Sequence, residues 1–135
     1  MQTMPELKPL ATAQAVVDEH LDALNRGDWA RLMAQYPEDV EIFLPAGVVI
    51  RGRAQVGEAF TGMVAPWDRG GLGGVTFTTE HSMVLGDTIS VQWKADAPFL
   101  REPYRGADAY MVRQGLLAAQ VSTFDMNALR ALGRG

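Results

Sequence analysis

The first part of the chain alternates apolar and polar positions in helical rhythm. Ala13, Val16, Val17, His20 and Leu24 recur at three-to-four spacing, while Asp18, Glu19, Asp22 and Arg26 fall on the opposite side. Pro9 is placed to open this helix, and Asn25-Arg26-Gly27-Asp28 reads as its stop followed by a new cap. Asp28 then caps a short second helix over 29–36, which Pro37 ends. Val40, Ile42 and Leu44 alternate with Glu41 and Phe43 and predict a strand. It breaks at Pro45-Ala46-Gly47 and resumes over 48–50 as a small hairpin. Val56, Ala59, Phe60 and Met63 return to helical spacing and predict a third helix over 55–64.

After a glycine-rich loop at 68–74 the period changes to two. Strands are expected over 75–85, 88–97, 104–113 and 117–124, joined at Gly86-Asp87, through 98–103 and at Gln114-Gly115. Turns as short as the first and last of these require antiparallel neighbours. Asp125 or Asn127 caps a last helical turn ending at Gly133. Helices first and antiparallel strands afterwards make an α+β order, with the helices over one face of the sheet. A sheet curled over three helices leaves a concave space at its open end and an outer face free for a second copy. A homodimer through the sheet is expected, built from a single domain without internal repeats.

His20 changes this picture, because it puts a polar ring in the middle of an apolar stripe. A ring turned inward must find a partner or lose about 1–3 kcal/mol to desolvation. Either the core supplies that partner or a pocket does. A second candidate lies in the third long strand, where Tyr104, Asp108, Tyr110 and Val112 share one face. If that face is the inner one, Asp108 meets the His20 region as a His–Asp pair in an apolar pocket. Each would shift the other's pKa, and one would serve as general acid or base. The other reading is a pair that simply satisfies itself under the helix. Gln120, Ser122 and Phe124 alternate onto one face of the last strand and are expected to line the same space. Trp67 and Trp93 are candidates to stack on a flat ligand, and Tyr36 to reach the pocket with its hydroxyl. His81 alternates with Phe77, Thr79 and Met83 and reads as structural or as part of a dimer surface.

Composition mainly excludes. The 135 residues are 47% hydrophobic and 21% charged, with a formal charge of −4 and no cysteine. Basic residues are scattered, so neither nucleic acid nor an anionic membrane is an expected partner. Disulfides, thiol nucleophiles and zinc ribbons are ruled out together. No His-x-x-x-His or clustered acidic motif exists, so no metal and no cofactor is expected. Ser82, Ser90 and Ser122 lie outside any Gly-x-Ser-x-Gly, and the glycine-rich loop lacks the Gly-Lys-Ser/Thr of a phosphate cradle. That loop reads as a connector or a lid, and Arg101 in the 98–103 loop as a solvated arginine or a steering group for an acidic ligand. Glu6, Lys8 and two prolines interrupt the N-terminal segment where a signal peptide would be apolar, and no run approaches the roughly 20 apolar residues of a membrane span. A soluble, cytoplasmic protein is expected.

The order of these pieces resembles the SnoaL-like branch of the nuclear transport factor 2 and ketosteroid isomerase superfamily. The matching segments are Asn25-Arg-Gly-Asp28, Tyr36-Pro-Glu-Asp-Val40, Ile50-Arg-Gly-Arg53 and a last pair of strands turning at Gly115. The resemblance implies a cone-shaped α+β barrel or cystatin-like roll, with a curved antiparallel sheet packed over three N-terminal helices, a deep apolar pocket and common dimerisation. Anchored at Gly27-Asp28 and Ile50-Arg51-Gly52, it puts His20 at the oxyanion-hole tyrosine of ketosteroid isomerase and Asp108 at its protonated oxyanion aspartate. A neutral carboxylic acid in such a site donates to a developing enolate, and ketosteroid isomerase is itself the standard example. The catalytic-base aspartate, however, falls on Phe43, which thus becomes a pocket-lining candidate, and Ile42 and Leu44 cannot substitute. Steroid isomerisation by that mechanism is not expected. Ser122-Thr-Phe-Asp125 is similar to the last strand of limonene epoxide hydrolase, but Ser122 stands where that family needs an aspartate, and Lys94 and Asp96 imitate its water-activating set poorly. The expectation is proton-transfer chemistry of isomerase, cyclase or dehydratase type on a small apolar carbonyl-bearing or cyclic substrate. A non-catalytic module for a small hydrophobic ligand, and an epoxide hydrolase-like activity, stand as alternatives.

Overall fold

A computed structural model describes residues 3–134. Helix α1 (Ala13–Asn25) begins later than Pro9 suggests, because Thr12 is its cap and accepts from Ala15 N at 3.1 Å. Its end follows the Asn-Arg-Gly-Asp pattern closely. Gly27, at φ +63, turns the chain so that its N–H reaches Leu24 O and that of Asp28 reaches Ala23 O, which satisfies two orphan carbonyls of the last turn. The Asp28 carboxylate then caps α2 (Trp29–Met33), accepting from Arg31 N at 3.1 Å. This helix stops three residues before Tyr36. β1 (Glu41–Phe43) and β2 (Val49–Arg51) form the small hairpin, with a 3-10 turn at Pro45–Gly47 between them. Helix α3 (Gly52–Met63) starts directly off β2, three residues ahead of the expected start.

The long strands are β3 (Thr76–Leu85), β4 (Thr88–Asp96), β5 (Tyr104–Arg113) and β6 (Leu116–Ser122), followed by a short α4 (Met126–Arg130) capped by Asp125. The six strands form one sheet in the order β2-β1-β6-β5-β4-β3. Two expectations are corrected here. The sheet is curved but open, with β2 and β3 as free edges, so it is not a barrel. It is also not wholly antiparallel, because β1 lies parallel to β6, the chain having passed through α3 and four strands between them.

Inner and outer faces separate cleanly on the central strands. Along β4 the buried residues are Ile89, Val91, Trp93 and Ala95, and along β5 they are Asp108, Tyr110 and Val112. Helix α1 covers this face through Val16, Val17, His20 and Ala23. The edge strand β3 behaves differently, since only Phe77 is buried and 78–85 are exposed on both faces, His81 among them. Its first residues are held to the helix layer by one side chain. Asn25 Nδ2 donates to Phe77 O at 2.9 Å and Asn25 Oδ1 accepts from Phe77 N at 2.8 Å, so an amide takes the place of a neighbouring strand. On its other side Phe77 pairs with Ala95 of β4. Among the described residues no helix is long and apolar enough to cross a membrane.

Asn25→Ala removes both bonds and leaves the Phe77 backbone unpaired on that side. The expected loss is about 1–3 kcal/mol in urea unfolding, with faster amide exchange at Phe77. Unchanged stability and exchange would show that the amide clamp contributes nothing.

Candidate functional site

The helix layer and the curved sheet do not meet completely. Between them lies a cavity of about 250 Å³, walled by Leu21 and Leu24 of α1, Phe60 and Met63 of α3, and inward residues of the sheet. Most of its lining is apolar, and its polar groups are His20, Trp93, Asp108, Tyr110, Gln120 and Ser122. Every one of these is a residue that the sequence nominated.

Asp108 is the centre of the polar wall. Its Oδ1 accepts from Ser122 Oγ at 2.6 Å and from Trp93 Nε1 at 3.1 Å, and its Oδ2 accepts from Tyr110 Oη at 2.7 Å. The donors come from β6, β4 and β5. The register makes this possible, because Asp108 stands directly opposite Ser122 on one side and opposite Val91, two residues from Trp93, on the other. Burial raises the Asp108 pKa above the ordinary carboxyl value, while the bonds from Ser122, Tyr110 and Trp93 pull it down. Three donors converging on two oxygens suit a carboxylate, which only accepts, and leave one lone pair of Oδ2 unused. Gly106, opposite Trp93, is needed for this arrangement. A Cβ there would run into the indole ring and come within 2.8 Å of Thr123 Oγ1.

His20 is buried against Tyr36, Phe60 and Tyr110, with ring centroids 6.0, 6.1 and 5.3 Å away. Burial alone pulls its pKa from 6.5 down to about 4, so the ring is neutral near pH 7. The expected His20–Asp108 pair does not form, since the two side chains share no hydrogen bond and neither contributes to the other's pKa shift. Nδ1 of His20 lies instead 3.5 Å from Tyr36 Oη, and Tyr110 occupies the space between, with its ring beside His20 and its hydroxyl on Asp108. Tyr36 is fully buried, and its hydroxyl reaches the polar wall by donating to Gln120 Oε1 at 2.9 Å. Burial, reinforced by the Asp108 charge, lifts the pKa of Tyr36 and of Tyr110 well above the usual phenol value, so both hydroxyls keep their protons.

Phe124 lines the cavity as expected, whereas Tyr36, which stands behind His20 and Gln120, Phe43 and Trp67 do not. Strand alternation puts Ile42 and Leu44 inward and Phe43 outward, 37% exposed. No carboxylate therefore faces the cavity from β1. Trp67 belongs to a separate cluster, with its ring 4.6 Å from Phe99 and the Arg130 guanidinium 3.8 Å above it. Arg130 also donates to Trp67 O and Gly71 O, and Leu72 N reaches Met63 O, so the glycine-rich loop is a pinned connector rather than a lid. Arg101 donates to Ala131 O and braces the C-terminal segment. Lys94 and Asp96 sit 3.7 Å apart on the face of β4 opposite the buried Trp93 and Ala95, away from the cavity. The apolar walls from α3 and β3, Ala59, Phe60, Met63 and Phe77, were readable only as core. Among the described residues no group of three or more His, Asp or Glu side chains gathers as a metal site would need.

Residues 17–120 match the model of the SnoaL-like domain family. Among solved structures, a provisionally assigned ketosteroid isomerase from Kribbella flavida aligns with a TM-score of 0.69 at 22% identity, covering 84% of this chain and 77% of that one. TerC, co-crystallised with polyporic acid, aligns at 0.68 and 18% identity over 90% and 98% of the two chains. An epoxide hydrolase of the LEH-like type from M. tuberculosis aligns at 0.66 and 18% over 87% and 85%. At these identities the likeness shows the fold alone. No curated protein sequence matches the chain.

The buried imidazole has a signed consequence for stability. Its folded pKa, about 4, lies below the unfolded 6.5, so the unfolded chain binds the proton first as pH falls. Stability from this group is complete above about pH 6.5 and is lost progressively toward pH 4, by about 3 kcal/mol. Asp108 has the opposite sign, because its raised carboxyl pKa costs stability as pH rises through it. His20→Gln should flatten the loss between pH 6.5 and 4 in urea unfolding. An identical pH profile in variant and wild type would contradict this assignment.

Proposed function

Because the chain belongs to the SnoaL-like domain family, we propose that its cavity binds a small, largely apolar carbonyl compound and moves a proton on it. The observation that carries this reading is the placement of Asp108 and His20 at the polar wall of an otherwise apolar cavity of about 250 Å³. A dry cavity of about 150 Å³ accepts one benzene, so this volume suits a body of one or two rings. Asp108 is the proton acceptor. A carboxylate made more basic by burial, with a lone pair of Oδ2 still unused, can take a proton from the carbon next to a carbonyl. His20, neutral and desolvated, is the second polar contact to the substrate rather than the base. Ser122 serves Asp108 as a donor, which argues for proton transfer without a covalent intermediate.

A non-catalytic binding module is the second reading, and the outward Phe43 favours it, since residues 41–44 offer the cavity only Ile42 and Leu44. An epoxide hydrolase-like activity has less support, because Lys94 and Asp96 lie on the other side of the sheet. The proposal extends to a second copy of the chain. Phe43, Val121 and Ala109 form a row across the outer face, and Val121 is 46% exposed. A homodimer through this face would cover them.

Exchange of α-protons in D₂O, followed by NMR on a panel of one- and two-ring ketones, separates the two readings. Turnover is expected, with Asp108→Asn slower by about 100-fold or more. Ketones that bind without any exchange would leave the binding module. Light scattering should give twice the 14.7 kDa chain mass, falling to one chain in Val121→Lys. A single-chain mass for the unsubstituted protein would rule out the dimer.

A further inference from the structure

The polar wall contains a hydrogen-bond chain whose direction is set at its far end. Tyr36 donates its only proton to Gln120 Oε1, so toward His20 it presents a lone pair. The group facing that lone pair, His20 Nδ1 at 3.5 Å, is then the protonated nitrogen of a neutral ring. It follows that Nε2 carries the free lone pair. Gln120, with its oxygen turned to Tyr36, has its amide N–H groups to offer on the other side of the amide. Among the described residues the fully occluded side-chain polar atoms without a partner are Gln35 Oε1 and Arg53 Nε. Neither His20 Nε2 nor Gln120 Nε2 is among them, and neither has a hydrogen-bond partner among the described residues, so each keeps some exposure, on residues that line the cavity.

We propose that Tyr36 and Gln120 set the hydrogen-bond polarity of the cavity, so that it selects a ligand bearing both a hydroxyl, which donates to His20 Nε2, and a carbonyl, which accepts from Gln120. The inference rests on the reading of the cavity as a small-molecule site, but not on catalysis there. Tyr36 acts as a positioning residue, since it reaches the ligand only through His20 and Gln120. One acceptor and one donor discriminate in opposite senses. A compound with a carbonyl alone leaves His20 Nε2 unpaired, and one with a hydroxyl alone leaves the Gln120 amide unpaired.

Two measurements on the intact chain test this. Long-range proton–nitrogen NMR of the His20 ring near neutral pH should show the Nδ1–H tautomer. Tyr36→Phe, which keeps the ring stacked on Phe60 at 5.6 Å, should shift the ring toward a mixture of tautomers while leaving His81 unchanged. The 3- and 4-hydroxyacetophenones are then compared with acetophenone, which only accepts, and 4-ethylphenol, which for this purpose donates. At least one hydroxyacetophenone should bind about fivefold or more tightly than either. Gln120→Met should reduce that ligand to the affinity of 4-ethylphenol. An Nε2–H tautomer in the unsubstituted protein, equal affinity for all the compounds, or no binding of any of them overturns the proposal. Selective binding without α-proton exchange would instead remove the catalytic reading and leave this one. Exchange without selectivity would do the reverse.

Discussion

A buried carboxylate must be given hydrogen-bond donors, and the interior of this protein is arranged around that requirement at Asp108. An ion or a carboxylic acid placed there without partners would cost several kcal/mol. Ser122, Tyr110 and Trp93 supply the donors from three adjacent strands. Tyr110 shares β5 with Asp108, but Ser122 and Trp93 can do so only in the observed pairing of β4, β5 and β6, since a one-residue slip would turn one of them to the outer face. The same requirement explains Gly106, which leaves room for the indole to cross β5 and turn its N–H toward Asp108. The register of the sheet and the polar wall of the cavity thus rest on one group of residues.

The cavity is the space that this polar wall and its apolar surroundings leave between sheet and helices. Helix α1 contributes His20 from a stripe otherwise made of Val16, Val17 and Ala23, and the turn at Gly27-Asp28 directs the chain into α2 and on to Tyr36. Tyr36 links the helical side to the last strand through Gln120, 84 residues away in the chain. Asn25 ties the start of β3 to the end of α1 and so fixes Phe77, another wall of the cavity. Beyond Phe77 the edge strand is exposed, Met83, Val84 and Leu85 included.

Much of this was legible in the sequence because it follows from period. Alternation along 104–113 put Asp108 on the face of Tyr110 and Val112, and helical spacing put His20 among valines. What was illegible depends on distances between elements. Nothing in either segment says that Tyr110 intervenes between His20 and Asp108, or that Ser122 and Trp93 converge on the same carboxylate. Phe43 was misplaced by an overlay of sequences, which carries a one-residue uncertainty, and one residue is the difference between the two faces of a strand. Trp67 was misplaced because its partners, Phe99 in a loop and Arg130 at the end of α4, lie far along the chain. The open sheet edge and the parallel β1–β6 pair likewise leave no local signature.

In the proposed site, Asp108 is a carboxylate whose acidity its surroundings tune and whose free lone pair meets a ligand. The most direct measurement is a pH titration of the ¹³C-labelled Asp108 carboxyl, with and without a saturating cyclic ketone. A midpoint above the ordinary carboxyl value is expected, with a further displacement when the ketone is present. An ordinary midpoint that does not respond to the ketone would contradict it.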